Sequence, residues 1–94
     1  MNYYVLIYDV VDDYITRRAE FRSAHLQLAQ EANQRGELML AGAFSDPHDQ
    51  ALLVFRGKDP SAAEHFAKND PYVINGLVKK WRVRPWNVVV GDQQ

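Results

Sequence analysis

The 94-residue chain has room for one domain with one modest core, and 47% apolar against 24% charged residues is the balance of an ordinary folded protein. A net charge of -1 with both signs interspersed argues against nucleic acid or a membrane surface as partner. The absence of cysteine excludes disulfides, thiolate metal sites and thiol nucleophiles. Met1 leads straight into a strand-like run, with no basic leader and no long apolar span, so the expectation is a single domain over residues 1–94, in the cytoplasm.

Residues 3–10, YYVLIYDV, mix aromatic and β-branched residues and read as a strand with Tyr3, Val5 and Ile7 on one face and Tyr4, Leu6, Tyr8 and Val10 on the other. Both faces are apolar, so both need cover. Asp12 and Asp13 close it and put negative charge at the start of a long helix from about Tyr14 to Arg35, with Gly36 as its stop. LMLAGAFS, residues 38–45, is a second strand, in which Gly42 suggests a bulge or a close approach by a ligand or backbone. The turn DPHDQ and the strand ALLVFR complete a hairpin. SAAEHFAKN, residues 61–69, is a second helix, with Ser61 and Glu64 spaced as a capping box and Pro71 ending it. One helical turn closed by Gly76 then leads into VKKWRVRPWNVVV, where Pro85 belongs at an edge, a bulge or a break, and into the frayed tail GDQQ.

The order β-α-β-β-α-β predicts an α+β fold of the ferredoxin-like type, with an antiparallel sheet and two helices on one face. The uncovered apolar face predicts a homodimer with sheets packed face to face.

The chemistry concentrates in RRAEFRSAHLQLA. On a helix Arg18, Arg22 and His25 share a sector about 60° wide on the core side, opposite Glu20, Ser23, Gln27, Gln30 and Gln34. Charge there calls for acidic partners or an anionic ligand. A neutral imidazole beside two cations suits a general base acting on an anionic substrate, and the arginines suit a carboxylate. The ordinary alternatives are a half-buried histidine bonded to a carbonyl and arginines paired with Asp9, Asp12 or Asp13. Asp70 is either a turn aspartate before Pro71 or an acid reaching across the fold to orient His25, a role for which Asp46 competes. His48 and His65 look exposed. No H-x-x-H or H-E-x-x-H spacing, phosphate loop or serine elbow is present, so no metal and no cofactor are expected.

R-x-x-x-R-x-x-H-L (Arg18, Arg22, His25, Leu26), A-G (Ala41, Gly42), D-P-Y (Asp70, Pro71, Tyr72) followed by N-G-L, and V-R-P-W (Val83 to Trp86) together resemble the YciI-like proteins. The resemblance spans nearly the whole chain. It implies a dimeric α/β barrel akin to muconolactone isomerases and an active site on a histidine–aspartate pair, here His25 and Asp70. One relative is a dehydrochlorinase acting on a chlorinated hydroxyquinol. Ser23 and Ala43 stand where the family often has proline, a change that bears on the pocket floor.

Two functions of different class follow. In the first, a small cofactor-free enzyme uses His25 as the base and Asp70 to orient it. Arg22 and Arg18 bind negative charge, Tyr72 and Gly42 contact the substrate, and Tyr8 and Trp86 are further lining candidates. Lyase, isomerase and dehydrochlorinase chemistry all fit. In the second, a non-catalytic module holds a small anion in the same cationic pocket.

Overall fold

A computed structural model describes residues 2–91, and the rest of the tail expected to fray lies outside them. The first strand, β1, is Asn2–Val10. The long helix α1 follows at Tyr14–Gln34, then strands β2 at Leu38–Ala43 and β3 at Gln50–Gly57. Helix α2 spans Ser61–Asn69, the single turn α3 spans Pro71–Ile74, and β4 spans Val78–Trp86. The four strands form one sheet in the order β2-β3-β1-β4, and every neighbouring pair is antiparallel. This is the ferredoxin-like α+β arrangement.

Alternation in β1 and β3 sorts the side chains sharply. Leu6, Tyr8, Leu53 and Phe55 are buried under the helices against Ala29, Ala32, Ala63, Phe66 and Ala67. Their neighbours Val5, Ile7, Leu52 and Val54 fill the opposite face and remain half-buried. Around them Leu40 is 71% and Trp86 50% exposed. In this chain one face of the sheet has cover and the other has none.

The exits of α1 and α3 are built alike. Gly36, at φ 80°, turns the chain so that the Glu37 N–H reaches back to the Ala32 carbonyl at 3.1 Å. Gly76, at φ 79°, lets the Leu77 N–H do the same to the Tyr72 carbonyl at 2.9 Å. Pro85 lies on β4, an edge strand of the sheet, where its missing N–H costs little.

Two local expectations are corrected. The cap of α2 is not a Ser61–Glu64 box: Pro60 occupies the N-cap position, and the Asp59 carboxylate accepts from the Ser61 N–H at 2.9 Å. Ser61 is already helical, so its hydroxyl stands one position too late to cap. Of the two readings of Gly42 only the bulge is overturned: the irregularity in β2 falls between Leu38 and Leu40, and Gly42 pairs regularly with Leu52.

Candidate active site

Asp70 is the best-partnered polar side chain of the interior. The proline after it holds its backbone extended at ψ 123°, so α2 stops there and α3 begins with Asp70 as N-cap. Its carboxylate is wholly buried and accepts three hydrogen bonds from three elements. The Tyr8 hydroxyl of β1 donates to Oδ2 at 2.7 Å. Nδ1–H of His25 on α1 donates to Oδ1 at 2.9 Å, and the Tyr72 N–H of α3 donates to the same oxygen at 3.0 Å. The turn-capping role and the reach to the histidine are thus carried by one oxygen.

A carboxylate only accepts, so in the neutral imidazole this bond places the His25 proton on Nδ1 and leaves the lone pair on Nε2. Nε2 has no hydrogen-bond partner among the described residues. The imidazole is fixed in orientation, stacked on the Tyr72 ring at 3.9 Å and 7° and meeting the Phe66 ring edge-on at 6.3 Å. Tyr72 in turn meets Tyr14 edge-on at 5.7 Å.

A cavity of about 140 Å³ lies between α1 and the β2 side of the sheet, lined by Tyr8, Tyr14, Arg18, Arg22, His25, Leu26, Tyr72 and the Ala41–Ala43 stretch, among others. Burial pushes the Tyr8 phenol far above its ordinary value, and the Asp70 charge adds to the shift. Burial also raises Tyr72, with the nearby Tyr14 adding to it, while Arg22 and Arg18 pull the other way. Both phenols therefore stay protonated, and the Tyr8 hydroxyl donates to Asp70.

The sequence candidates fall differently around this cavity. His25, Asp70, Tyr8 and Tyr72 form one contiguous group, and Arg18 and Arg22 line the cavity wall beside it. Arg18 is half-buried with its guanidinium 5.3 Å from the Tyr14 ring centre. Arg22 is exposed, so it lies nearer solvent than its helix sector suggests. Neither is paired with a carboxylate among the described residues. Asp9, expected as a possible partner, is bonded by Gln50 and faces Arg82 at 3.5 Å instead. Gly42 contributes backbone alone, because its register with Leu52 directs any substituent to the open side of the sheet. Asp46 belongs to a separate groove at the hairpin end with Asp49, Lys79 and Lys80. Trp86 does not line the cavity: it pairs with Tyr3 and shares the open face with Val5, Ile7, Leu52 and Val54.

The contact that the sequence reading missed is the bond between Tyr8 and Asp70, which spans 62 positions. The available signal was an inward-facing tyrosine on a core strand, whose hydroxyl needs a partner, but nothing local says which. Among the described residues no cluster of three or more His, Asp or Glu could hold a metal ion, and no helix is long and apolar enough to cross a membrane.

The fold and the cavity define a ferredoxin-like α+β domain with a histidine–aspartate contact beneath its first helix. The YCII-related domain family matches residues 1–87, and the chain belongs to that family. Among solved structures, it is similar to 5-chloro-2-hydroxyhydroquinone dehydrochlorinase from Burkholderia phenoliruptrix, determined in complex with 2,5-dihydroxybenzoquinone. That match has 15% identity and a TM-score of 0.74 over 90% of this chain and 93% of the other. A protein from Agrobacterium tumefaciens is 12% identical with a TM-score of 0.62, covering 95% of this chain and 94% of its own. An antibiotic biosynthesis monooxygenase is 13% identical with a TM-score of 0.56, covering 96% and 100%. These likenesses carry the fold. No curated protein sequence matches the chain.

Proposed function

We propose that the chain is a small cofactor-free enzyme that removes a proton from a small anionic or enolisable substrate. His25 Nε2 is the base. Asp70 fixes the tautomer and ring orientation, and stabilises the imidazolium that forms. Arg22 and Arg18 hold the negative charge on the substrate, with Tyr72 and the Gly42 backbone as further contacts. The observation that carries this reading is the hydrogen bond from His25 to buried Asp70, where His25 lines a cavity together with two arginines that have no carboxylate partner among the described residues. Lyase, isomerase and dehydrochlorinase steps all begin this way, and the single-ring quinone bound by the Burkholderia dehydrochlorinase is of a size and chemistry that suit the reading.

The working unit in this proposal is a cytoplasmic homodimer. A second copy is the simplest cover for Val5, Ile7, Leu52 and Val54, an apolar centre that a monomer would leave open.

Proton abstraction can be read before the substrate is known. Pools of small enolisable acids and hydroxylated aromatics are incubated with the protein in D2O, and loss of C–H signal is followed by NMR. The wild type exchanges at least one compound, and His25→Ala slows that exchange about 10²–10⁴-fold while binding persists. Full exchange by His25→Ala refutes the base assignment. Binding without exchange in the wild type makes the chain an anion-binding module instead.

A further inference from the structure

Two buried tyrosines line the cavity, and their hydroxyls differ in one respect. The Tyr8 hydroxyl is spent on Asp70 at 2.7 Å. The Tyr72 hydroxyl is shut off from solvent and has no hydrogen-bond partner among the described residues, although Tyr72 as a whole is only 1% exposed. Its ring cannot swing away to find one. His25 stacks on one face, Tyr14 packs against it edge-on, and its own N–H is tied to Asp70. A buried phenol without a partner is penalised in the empty protein, and such groups are rare unless something else completes them.

We propose that the Tyr72 hydroxyl is a hydrogen-bond donor for an anionic oxygen of the substrate, which is a carboxylate, enolate or phenolate no larger than one six-membered ring. The inference rests on the site proposed above and narrows what it takes. Polarity comes from Arg18 and Arg22, which line the same cavity and favour a negative oxygen beside the phenol. Size comes from the cavity of about 140 Å³ and its partly apolar wall of Leu26, Ala29 and Leu53. An apolar cavity of about 150 Å³ accepts benzene, so one ring fits and a fused pair does not.

Tyr72→Phe and Tyr8→Phe form a matched test in the full-length protein, with benzoate as the probe and 2-naphthoate as the oversize control. Binding is followed by NMR shifts and stability by thermal unfolding. Tyr72→Phe removes an unpartnered hydroxyl, so its Tm equals or exceeds that of the wild type, while benzoate binds about tenfold more weakly, the equivalent of 1.4 kcal/mol. Tyr8→Phe removes a bonded hydroxyl and lowers Tm. The wild type binds benzoate and not 2-naphthoate. A Tm loss in Tyr72→Phe as large as in Tyr8→Phe makes the hydroxyl structural and overturns the proposal. So does unchanged benzoate affinity in that variant, or failure of the wild type to bind benzoate. Arg22→Gln separates the two levels: if it weakens benzoate and Tyr72→Phe does not, only the tyrosine inference falls. If neither variant matters, the anion site itself falls.

Discussion

Replacing Asp70 by alanine is the most severe single perturbation the site offers. Three donors converge on this carboxylate at 2.7, 2.9 and 3.0 Å. The Tyr8 hydroxyl and the Tyr72 N–H are both buried and would be left without an acceptor, whereas the His25 side chain is 13% exposed and can turn to water. Two orphaned buried donors at about 1–3 kcal/mol each give a loss of about 2–6 kcal/mol. A domain of this length has about 5–14 kcal/mol in total, so Asp70→Ala sits near the edge of folding. Asp70→Asn keeps the shape. The amide oxygen can stay on Tyr72 N and His25, and the amide NH₂ faces Tyr8, whose hydroxyl rotates to accept. Only the charge assistance is lost, about 1–2 kcal/mol. Urea unfolding at pH 7, followed by far-UV circular dichroism, should rank wild type above Asp70→Asn above Asp70→Ala. An alanine variant within 1 kcal/mol of the wild type would refute the reasoning. An asparagine variant more stable than the wild type would show that desolvation of the carboxylate outweighs its three hydrogen bonds.

Asp59→Ala tests the cap of α2 and carries a pH signature. Hydrogen bonds from Ser61 hold the Asp59 carboxyl below its ordinary value of 3.8, so its contribution is present above that value and lost as pH falls through the lower folded one. The variant should melt below the wild type at pH 7, and the two melting curves should converge in acid; a gap independent of pH refutes the assignment. Val54→Lys puts a charge at the centre of the open face, opposite Val5, and should leave a folded monomer in sedimentation equilibrium. A persistent dimer, or a wild type that is monomeric at micromolar concentration, contradicts the proposed assembly. Gly42→Ala adds a methyl that meets nothing within 4 Å and points away from the cavity. Its unfolding free energy should lie within about 0.5 kcal/mol of the wild type, with benzoate affinity unchanged. Weakened benzoate binding would show that the methyl reaches the cavity.

The parts of this protein that were legible in the chain are those written at short range. Period-two runs marked the strands, Gly36 and Gly76 marked the exits of α1 and α3 at φ near 80°, and Pro71 marked the corner at Asp70. The order of those elements then left few topologies to choose from. Arg18, Arg22 and His25 were visible together because helical spacing alone puts them on one sector. Depth was not visible, since a sector says which way a side chain points and not how far the neighbouring strand extends over it. That is why Arg22 emerges exposed while His25 is half-buried three residues on. Alternation in the last strand likewise separates Trp81, Val83 and Pro85 from Arg82, Arg84 and Trp86, but only pairing with β1 decides which set faces the helices. Register puts Trp81 opposite the buried Tyr8 and Trp86 opposite Tyr3, which sends Trp86 to the open face. The same limit applies to the acid. Asp46 and Asp70 each precede a proline in the sequence, and what marks Asp70 is that it lies where β1 and α1 bring a hydroxyl and an imidazole to one carboxylate. A site built from three elements can be guessed from the helix that carries most of it, yet its third member belongs to the tertiary fold.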